Sequence, residues 1–235
     1  MRATTSTLLT AVCVLALVGC APTEPTAQEP SPTTTTDAAP TPTPTPTQAP
    51  ISDVPVEVML PATAWESISP DDVREESTDV VDWRVPEACD GGSPTGGLAM
   101  RTVTAGSGEL ETRVGVHQVV LLADADAAVA EADRLGAALT ACTQHVSDDS
   151  TTYVVEPLTV GAQGVGLATD YYGGSVEGAL DDAMGTYLGI TRRGNAIALV
   201  AVDGGEGTVG TAREAVTANA QAAWELLCTY DSAGC

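Results

Sequence analysis

Two histidines are the side chains best suited to acid–base chemistry at neutral pH, and both stand where a structural role is favoured. His117 lies within an alternating strand pattern, on the side opposite the valines, so we expect it to face solvent. His145 follows the expected end of a helix, where an imidazolium meets the helix dipole favourably. The Gly-x-Ser-x-Gly, His-Glu-x-x-His and Ser-x-x-Lys motifs of common hydrolases are absent. The sequence therefore predicts a protein that is not an enzyme.

Cys20 is the residue whose setting predicts a covalent modification. Arg2 supplies a positive charge, and Leu8 to Val18 form an apolar run too short to span a bilayer. The residues Leu17-Val18-Gly19-Cys20 match the bacterial lipobox, in which the cysteine thiol receives a diacylglycerol and the chain is cut before it. We expect residues 1–19 to be a lipoprotein signal peptide. Cys20 should carry the lipid anchor, in which palmitate is one of the acyl chains. The alternative is a buried N-terminal helix with an incidental cysteine.

The remainder of the chain divides into a tether and one domain. Residues 20–50 are rich in proline and threonine and contain no large apolar side chain, which predicts a disordered tether that reaches up to roughly 90 Å. Residues 51–235 are long enough for a single core. The chain has 9 basic and 32 acidic residues and a net charge of −23. This charge argues against nucleic acid or an anionic membrane surface as a direct partner.

The domain contains four cysteines that can form disulfide bonds: Cys89, Cys142, Cys228 and Cys235. An even number of cysteines in an exported domain predicts two disulfides, of which three connectivities are possible. The short spacing between Cys228 and Cys235 favours a local bridge there, which leaves Cys89 to pair with Cys142. No Cys-x-x-Cys or His-x-x-x-His pair exists to start a zinc site, and the acidic clusters lack calcium-loop spacing. We therefore expect no metal and no other cofactor.

Apolar alternation predicts two hairpins. One joins strands at 98–103 and 110–122, and the other joins 184–191 to 196–202 through Arg193-Gly194-Asn195. Further predictions are a strand or extended lead-in at 54–60, an extended segment with Trp83 at 79–85, a strand at 153–158 and a glycine-rich loop at 161–169.

Two amphipathic helices are predicted beside these strands. The first begins after the N-cap Asp124 and leads to Cys142, and the second runs from Thr208 or Thr211 to Tyr230. Hairpins separated by helices are typical of an α+β fold. We expect an antiparallel β-sheet with the two main helices packed on one face.

Tyr171 and Tyr172 are candidate ligand contacts. They precede two glycines and can present flat aromatic faces with polar hydroxyl groups. We expect the glycine-rich segment 161–174 to lie over the sheet edge as a mobile loop, with the tyrosines at the border of a cleft. The alternative places the tyrosines as caps on the core.

Arg192 and Arg193 are the second candidate pair. They stand side by side at a hairpin turn in a very acidic chain, and guanidinium groups suit carboxylate or phosphate ligands. We expect them to border the same cleft as the two tyrosines. The alternative is that they pair with nearby carboxylates such as Asp181 and Asp182.

Four segments, in this order, resemble the PknH-type extracellular sensor domain of actinobacterial membrane serine/threonine kinases and related lipoproteins. They are Met59-Leu60-Pro61, Pro86-Glu-Ala-Cys89, the Val-rich strand that runs into an Ala-rich helix with Cys142, and Trp224-Glu-Leu-Leu-Cys228. The resemblance covers most of 54–235. It implies an antiparallel sheet flanked by helices, two disulfides, and a cleft for an unidentified ligand. The chain encodes no kinase domain, so any sensing would act through another protein.

These observations predict an extracytoplasmic, lipid-anchored protein of the cell membrane with a ligand-sensing or ligand-binding domain. Its expected partners are the membrane, through the lipid at Cys20, and an unknown small ligand or envelope protein. The alternative is a structural or protein-interaction scaffold, and an envelope hydrolase is a more distant one. A concave cleft with convergent polar groups favours the binding module, whereas a flat apolar patch favours the scaffold.

Overall fold

An antiparallel sheet forms the centre of the described part of the chain. The computed structural model describes residues 53–69, 73–109, 112–145 and 150–235. The signal peptide, Cys20 and the tether predicted for residues 1–50 lie outside these ranges. The strands are β1 Arg74–Ser77, β2 Ala99–Ala105, β3 Val114–Leu121, β4 Thr152–Pro157, β5 Ala162–Asp170, β6 Gly185–Arg193 and β7 Ala196–Asp203. Within the described residues they pair in the order β1-β2-β3-β7-β6-β5-β4.

Both predicted hairpins are confirmed. Strands β2 and β3 pair with Val103 opposite His117, and β6 and β7 pair with Arg193 opposite Ala196. Gly194 in the second turn has a φ of 55°, a conformation that favours glycine. Because β7 also pairs with β3, the two hairpins join into one continuous sheet.

Two helices cover the sheet, and each begins at a side-chain cap. Helix α1, Ala125–Cys142, starts where the Asp124 carboxylate accepts the N–H of Ala127 at 2.8 Å. Helix α2, Val209–Leu226, starts where the Thr208 hydroxyl accepts the N–H of Thr211 at 3.3 Å. Both helices therefore begin where the sequence predicts.

The α+β class with an antiparallel sheet is confirmed, but the two helices lie on opposite faces instead of one. Leu135 of α1 packs in one cluster with Leu188 and Ile190 of β6, while Val216 of α2 packs in another with Tyr187. Successive strand residues point to opposite faces, so a sheet covered on both sides needs apolar residues at every position. Strand β7 has this pattern, since residues 196–202 are all apolar and buried.

The glycine-rich segment is a strand and not a mobile loop. Residues 162–170 form β5, which pairs with β4 on one side and β6 on the other. Gly166 leaves the space that the hydroxyl of Tyr187 occupies, and Gly164 lies against the carbonyl of Leu158. The glycines therefore mark close packing within the sheet.

The lead-in predicted at 54–60 contains a short 3-10 turn, Val56–Val58, followed by a second at Ala62–Trp65. Together with their neighbours these turns cover the α2 face of β2 and β3. Trp65 is buried on this face and packs over Gly115 of β3.

Both favoured disulfides are present. Cys89 is bonded to Cys142 across 53 residues, and Cys228 is bonded to Cys235 across 7 residues. The first bridge ties the turn Glu87–Cys89 to the end of α1. The described residues from 53 onward belong to one compact unit that contains both hydrophobic clusters and both bridges, so the domain has its own core. In the described ranges, no helix combines the length and the apolar character needed to cross a membrane.

Candidate functional site

A cleft of about 430 Å³ opens on the α1 side of the sheet, where β5 ends and β6 begins. Its floor consists of three directly paired apolar residues, Val116 of β3, Ala201 of β7 and Leu188 of β6. All three belong to the cluster that packs against α1. Because strand residues alternate between faces, this register gives the cleft a continuous apolar base.

A polar row lies beside this floor. Tyr153 of β4, Thr169 of β5 and Thr186 of β6 occupy paired positions across three neighbouring strands. Thr151 also lines the cleft, and Asp203, the last residue of β7, completes the rim at the sheet end. Hydroxyl groups can both donate and accept hydrogen bonds, so this row can orient a polar ligand.

Tyr171 connects the row to the end of β5. Thr186 and the backbone N–H of Gly204 hydrogen-bond to its phenolic oxygen. Burial raises the pKa of Tyr171 in spite of these bonds, and the charge of Asp203 adds to the rise. The phenol of Tyr171 therefore stays in its neutral form at physiological pH. Tyr172, in contrast, is 71% exposed and does not line the cleft.

The turn after Tyr171 is fixed by the buried Asp170. Its carboxylate accepts the N–H groups of Tyr172 at 3.2 Å, Gly174 at 3.2 Å and Ser175 at 2.8 Å, and the hydroxyl of Ser175 at 2.6 Å. Burial raises the pKa of Asp170, but these hydrogen bonds outweigh it and hold the pKa below its ordinary value. The turn is thus anchored to the strand that precedes it.

The opposite wall of the cleft, residues 84–87, is held by contacts with α1 and β3. The indole N–H of Trp83 donates to Glu131 of α1 at 2.9 Å, and the backbone N–H of Arg84 donates to Gln118 of β3 at 2.7 Å. Burial raises the pKa of Glu131, whereas hydrogen bonds from Arg134 and Trp83 lower it, and the net direction is downward. The wall is therefore positioned by an ionised carboxylate and by the adjacent disulfide.

The structure does not bring the tyrosines and Arg192/Arg193 together. Asp170 pairs with Gly185, whereas Arg192 pairs with Ala162 at the other end of the same strands. Seven residues of strand separate the two ends, about 23 Å at 3.3 Å per residue. The arginines line a separate open groove of about 930 Å³ near Trp224. The single cleft predicted from all four residues is not formed, and ligand binding by either pair stays a prediction.

Both arginine side chains are engaged within the chain. Arg193 contacts Asp231 at 3.3 Å and lies 4.2 Å from the centre of the Trp224 ring. Arg192 donates to Gln163 at 2.6 Å and to the carbonyl of Gly194 at 2.9 Å. The alternative interpretation is correct that an aspartate pairs with Arg193, but Asp231 takes the place expected for Asp181 or Asp182.

His117 is fully buried, contrary to the expectation that it faces solvent. The face of β3 on which it lies is covered by the segment that contains Leu60, whose N–H donates to its Nδ1 at 3.1 Å. Burial lowers the pKa of His117 to about 3, and the charge of Arg74 contributes. His145 is exposed just beyond α1, and its backbone N–H donates to the carbonyl of Cys142 at 2.8 Å. Neither imidazole lines the cleft.

Sequence reasoning missed the three charged residues of the cleft, Arg84, Glu87 and Asp203. Asp203 had a usable signal, since it directly follows the apolar run 196–202 and so had to lie at a strand end. Arg84 and Glu87 had none, because their position depends on Trp83 and on the Cys89 bridge. Throughout the described ranges, no group of three His, Cys, Asp or Glu side chains is placed to hold a metal ion.

Comparison with solved structures shows a similarity in fold, whereas comparison with sequences finds no match. No model of a known protein family matches the chain, and no curated protein sequence matches it. The chain is similar to a solved structure described as the crystal structure of the extracellular domain of PknH from Mycobacterium tuberculosis. The two are 11% identical with a TM-score of 0.47, over 72% of this chain and 93% of that chain.

Proposed function

We propose that the protein is a cell-envelope lipoprotein whose domain, residues 51–235, binds a small ligand in the cleft beside Tyr171. The domain acts as a binding or sensing module and passes the bound state to another envelope protein. The observation that carries the proposal is the cleft itself. It has a volume of about 430 Å³, an apolar floor and a row of hydroxyl groups. Small-molecule sites have this composition and fall in the range of about 300–1,000 Å³.

The extracytoplasmic location is supported by two independent features. The lipobox at Cys20 predicts export and lipidation. The bonded pairs Cys89–Cys142 and Cys228–Cys235 are typical of proteins that fold in an oxidising compartment. The tether then holds the domain away from the membrane, where a soluble ligand can reach the cleft.

A non-catalytic role is supported by the chemistry of the cleft. Nucleophilic catalysis needs a nucleophile within hydrogen-bond reach of a base that a third group orients. Both imidazoles lie outside the cleft, and the phenol of Tyr171 has a raised pKa. Hydroxyls above an apolar floor are suited to hold a ligand without altering it.

The proposal is tested by a thermal-shift screen of the soluble 51–235 domain. The compounds are cell-wall fragments, sugars, lipids, amino acids, short peptides and metal ions. A ligand present at 100 times its Kd adds about 2.7 kcal/mol to the free energy of unfolding. We expect Tyr171→Ala to lose the response and Tyr172→Ala, the exposed neighbour, to keep it. A screen without any stabilising compound, or an equal response in the two variants, overturns the proposal.

A further inference from the structure

Arg84 differs from the other arginines of the domain in having no side-chain partner within the described residues. Seven arginines form ion pairs or donate hydrogen bonds to other side chains: Arg74, Arg101, Arg113, Arg134, Arg192, Arg193 and Arg213. Among the described residues, Arg84 contributes only its backbone N–H to internal hydrogen bonds, and this exposed residue lines the cleft. In a chain of net charge −23, an unpaired guanidinium is the exception.

Two carboxylates on the same cleft are likewise free of ion pairs and side-chain hydrogen bonds in the part of the chain that the structure describes. Glu87 lies on the wall with Arg84, and Asp203 lies across the cleft at the end of β7. Two other carboxylates near the sheet are occupied: Glu131 is bound by Arg134, and Glu156 is bound by Arg213. The cleft therefore carries a positive charge at Arg84 on one wall and a negative charge at Asp203 on β7, and Glu87 adds a second negative charge on the wall of Arg84.

This arrangement discriminates between classes of ligand. A guanidinium offers a planar fork of donors that matches a carboxylate, and a carboxylate accepts the three donors of an ammonium group. A phosphate or another polyanion would be repelled by Glu87 and Asp203. A neutral sugar would use the hydroxyl row but leave all three charges without a partner.

We propose that the cleft binds a small zwitterion of the amino-acid or short-peptide class, with its carboxylate on Arg84 and its ammonium group on Asp203. The apolar side chain of the ligand then lies on Val116, Leu188 and Ala201. This inference rests on the proposed function and names the ligand class for the same site.

The test measures the affinity of the 51–235 domain for L-alanyl-L-leucine by calorimetry. Two analogues each remove one charge: N-acetyl-L-alanyl-L-leucine lacks the ammonium group, and L-alanyl-L-leucinamide lacks the carboxylate. We expect each analogue to bind about tenfold more weakly or worse, because each loses a hydrogen bond between charged groups. Arg84→Gln should abolish the preference for the free carboxylate, and Asp203→Asn should abolish the preference for the free amine. Arg113→Gln, which removes an arginine outside the cleft, is the matched control.

The outcomes separate this inference from the proposed function. If sugars or other neutral compounds stabilise the domain in a Tyr171-dependent way and the dipeptide does not bind, the zwitterion class is wrong and the binding function stands. If no compound binds, both fall. Binding of the dipeptide with unchanged selectivity in Arg84→Gln and Asp203→Asn also overturns the inference, since recognition then lies elsewhere.

Discussion

The backbone N–H of Leu60 donates a 3.1 Å hydrogen bond to Nδ1 of His117, in the middle of β3. This bond fastens the first described segment of the domain to the sheet. Two arginines hold the same segment, since Arg74 donates to the carbonyl of Leu60 at 3.3 Å and Arg101 to the carbonyl of Val54 at 2.7 Å. His117 therefore serves as an acceptor that closes one face of the sheet, and this role requires the neutral imidazole.

The pH dependence of stability follows from this role. The folded pKa of His117 is lowered from 6.5 to about 3, so between these values the unfolded chain binds one more proton than the folded chain. Stability that is present above pH 6.5 is lost as pH falls, at about 1.4 kcal/mol per pH unit. We expect a loss of about 2 kcal/mol between pH 6.5 and pH 5 in urea unfolding experiments. His117→Gln should remove this slope. His145→Gln is the control, and a similar loss of slope there would contradict the assignment to His117.

The two disulfides should differ in their contribution to stability. Replacing both Cys89 and Cys142 by Ser opens a loop of 53 residues and should cost about 4 kcal/mol by the chain-entropy relation. The same change at Cys228 and Cys235 opens a loop of 7 residues and should cost about 2 kcal/mol. Denaturant unfolding measures both losses. Equal losses in the two double variants would contradict the loop-length argument.

Gly166 and Gly136 form a matched pair of substitution sites. An alanine Cβ at Gly166 would overlap the hydroxyl of Tyr187, which donates to Glu156 at 2.8 Å. Gly136, in the middle of α1, has no neighbouring atom within 4 Å of an added Cβ. We expect Gly166→Ala to destabilise the domain by about 1–3 kcal/mol, as overpacking does. Gly136→Ala should stabilise it by up to about 1 kcal/mol through helix propensity. Melting temperatures of the two variants that shift in the same direction would refute this packing of β5.

Lipidation at Cys20 is a prediction from the sequence alone. Cells that express the full chain should incorporate radiolabelled palmitate into the protein, and Cys20→Ser should abolish both the label and the membrane association. The soluble domain serves as the unlabelled control. A Cys20→Ser protein that stays membrane-bound would show that another segment anchors the chain.

The sequence was sufficient for the elements that depend on local patterns. The caps Asp124 and Thr208 mark both helix starts, and alternating apolar residues mark both hairpins. The expectation that His117 faces solvent is wrong because the segment around Leu60 covers its face of β3. That cover depends on contacts between residues 57 positions apart, which no local pattern encodes.

The sequence analysis grouped Tyr171 with Arg192 in one site, and the structure of β5 explains why this grouping is wrong. Glycines at 161, 164 and 166 made this segment look like a loop, and a loop could have brought Tyr171 close to Arg192. As a strand, β5 pairs with β6 at Ala162 and from Val165 to Asp170, which places Tyr171 and Arg192 at opposite ends of these strands. Tyr171 lines the cleft, but the position of Arg84 depends on the hydrogen bond of Trp83 to Glu131 and on the Cys89–Cys142 bridge, which no local pattern encodes.

The most direct test of the account is a map of ligand-induced chemical-shift changes on the 15N-labelled 51–235 domain, titrated with the pooled compounds of the thermal-shift screen. The account predicts that the largest changes fall on Thr169, Tyr171, Thr186 and Asp203, around the cleft. Changes centred on Gly194 and Tyr230, in the groove at the other end of the sheet, would contradict it. The absence of any change across the pool would contradict it equally.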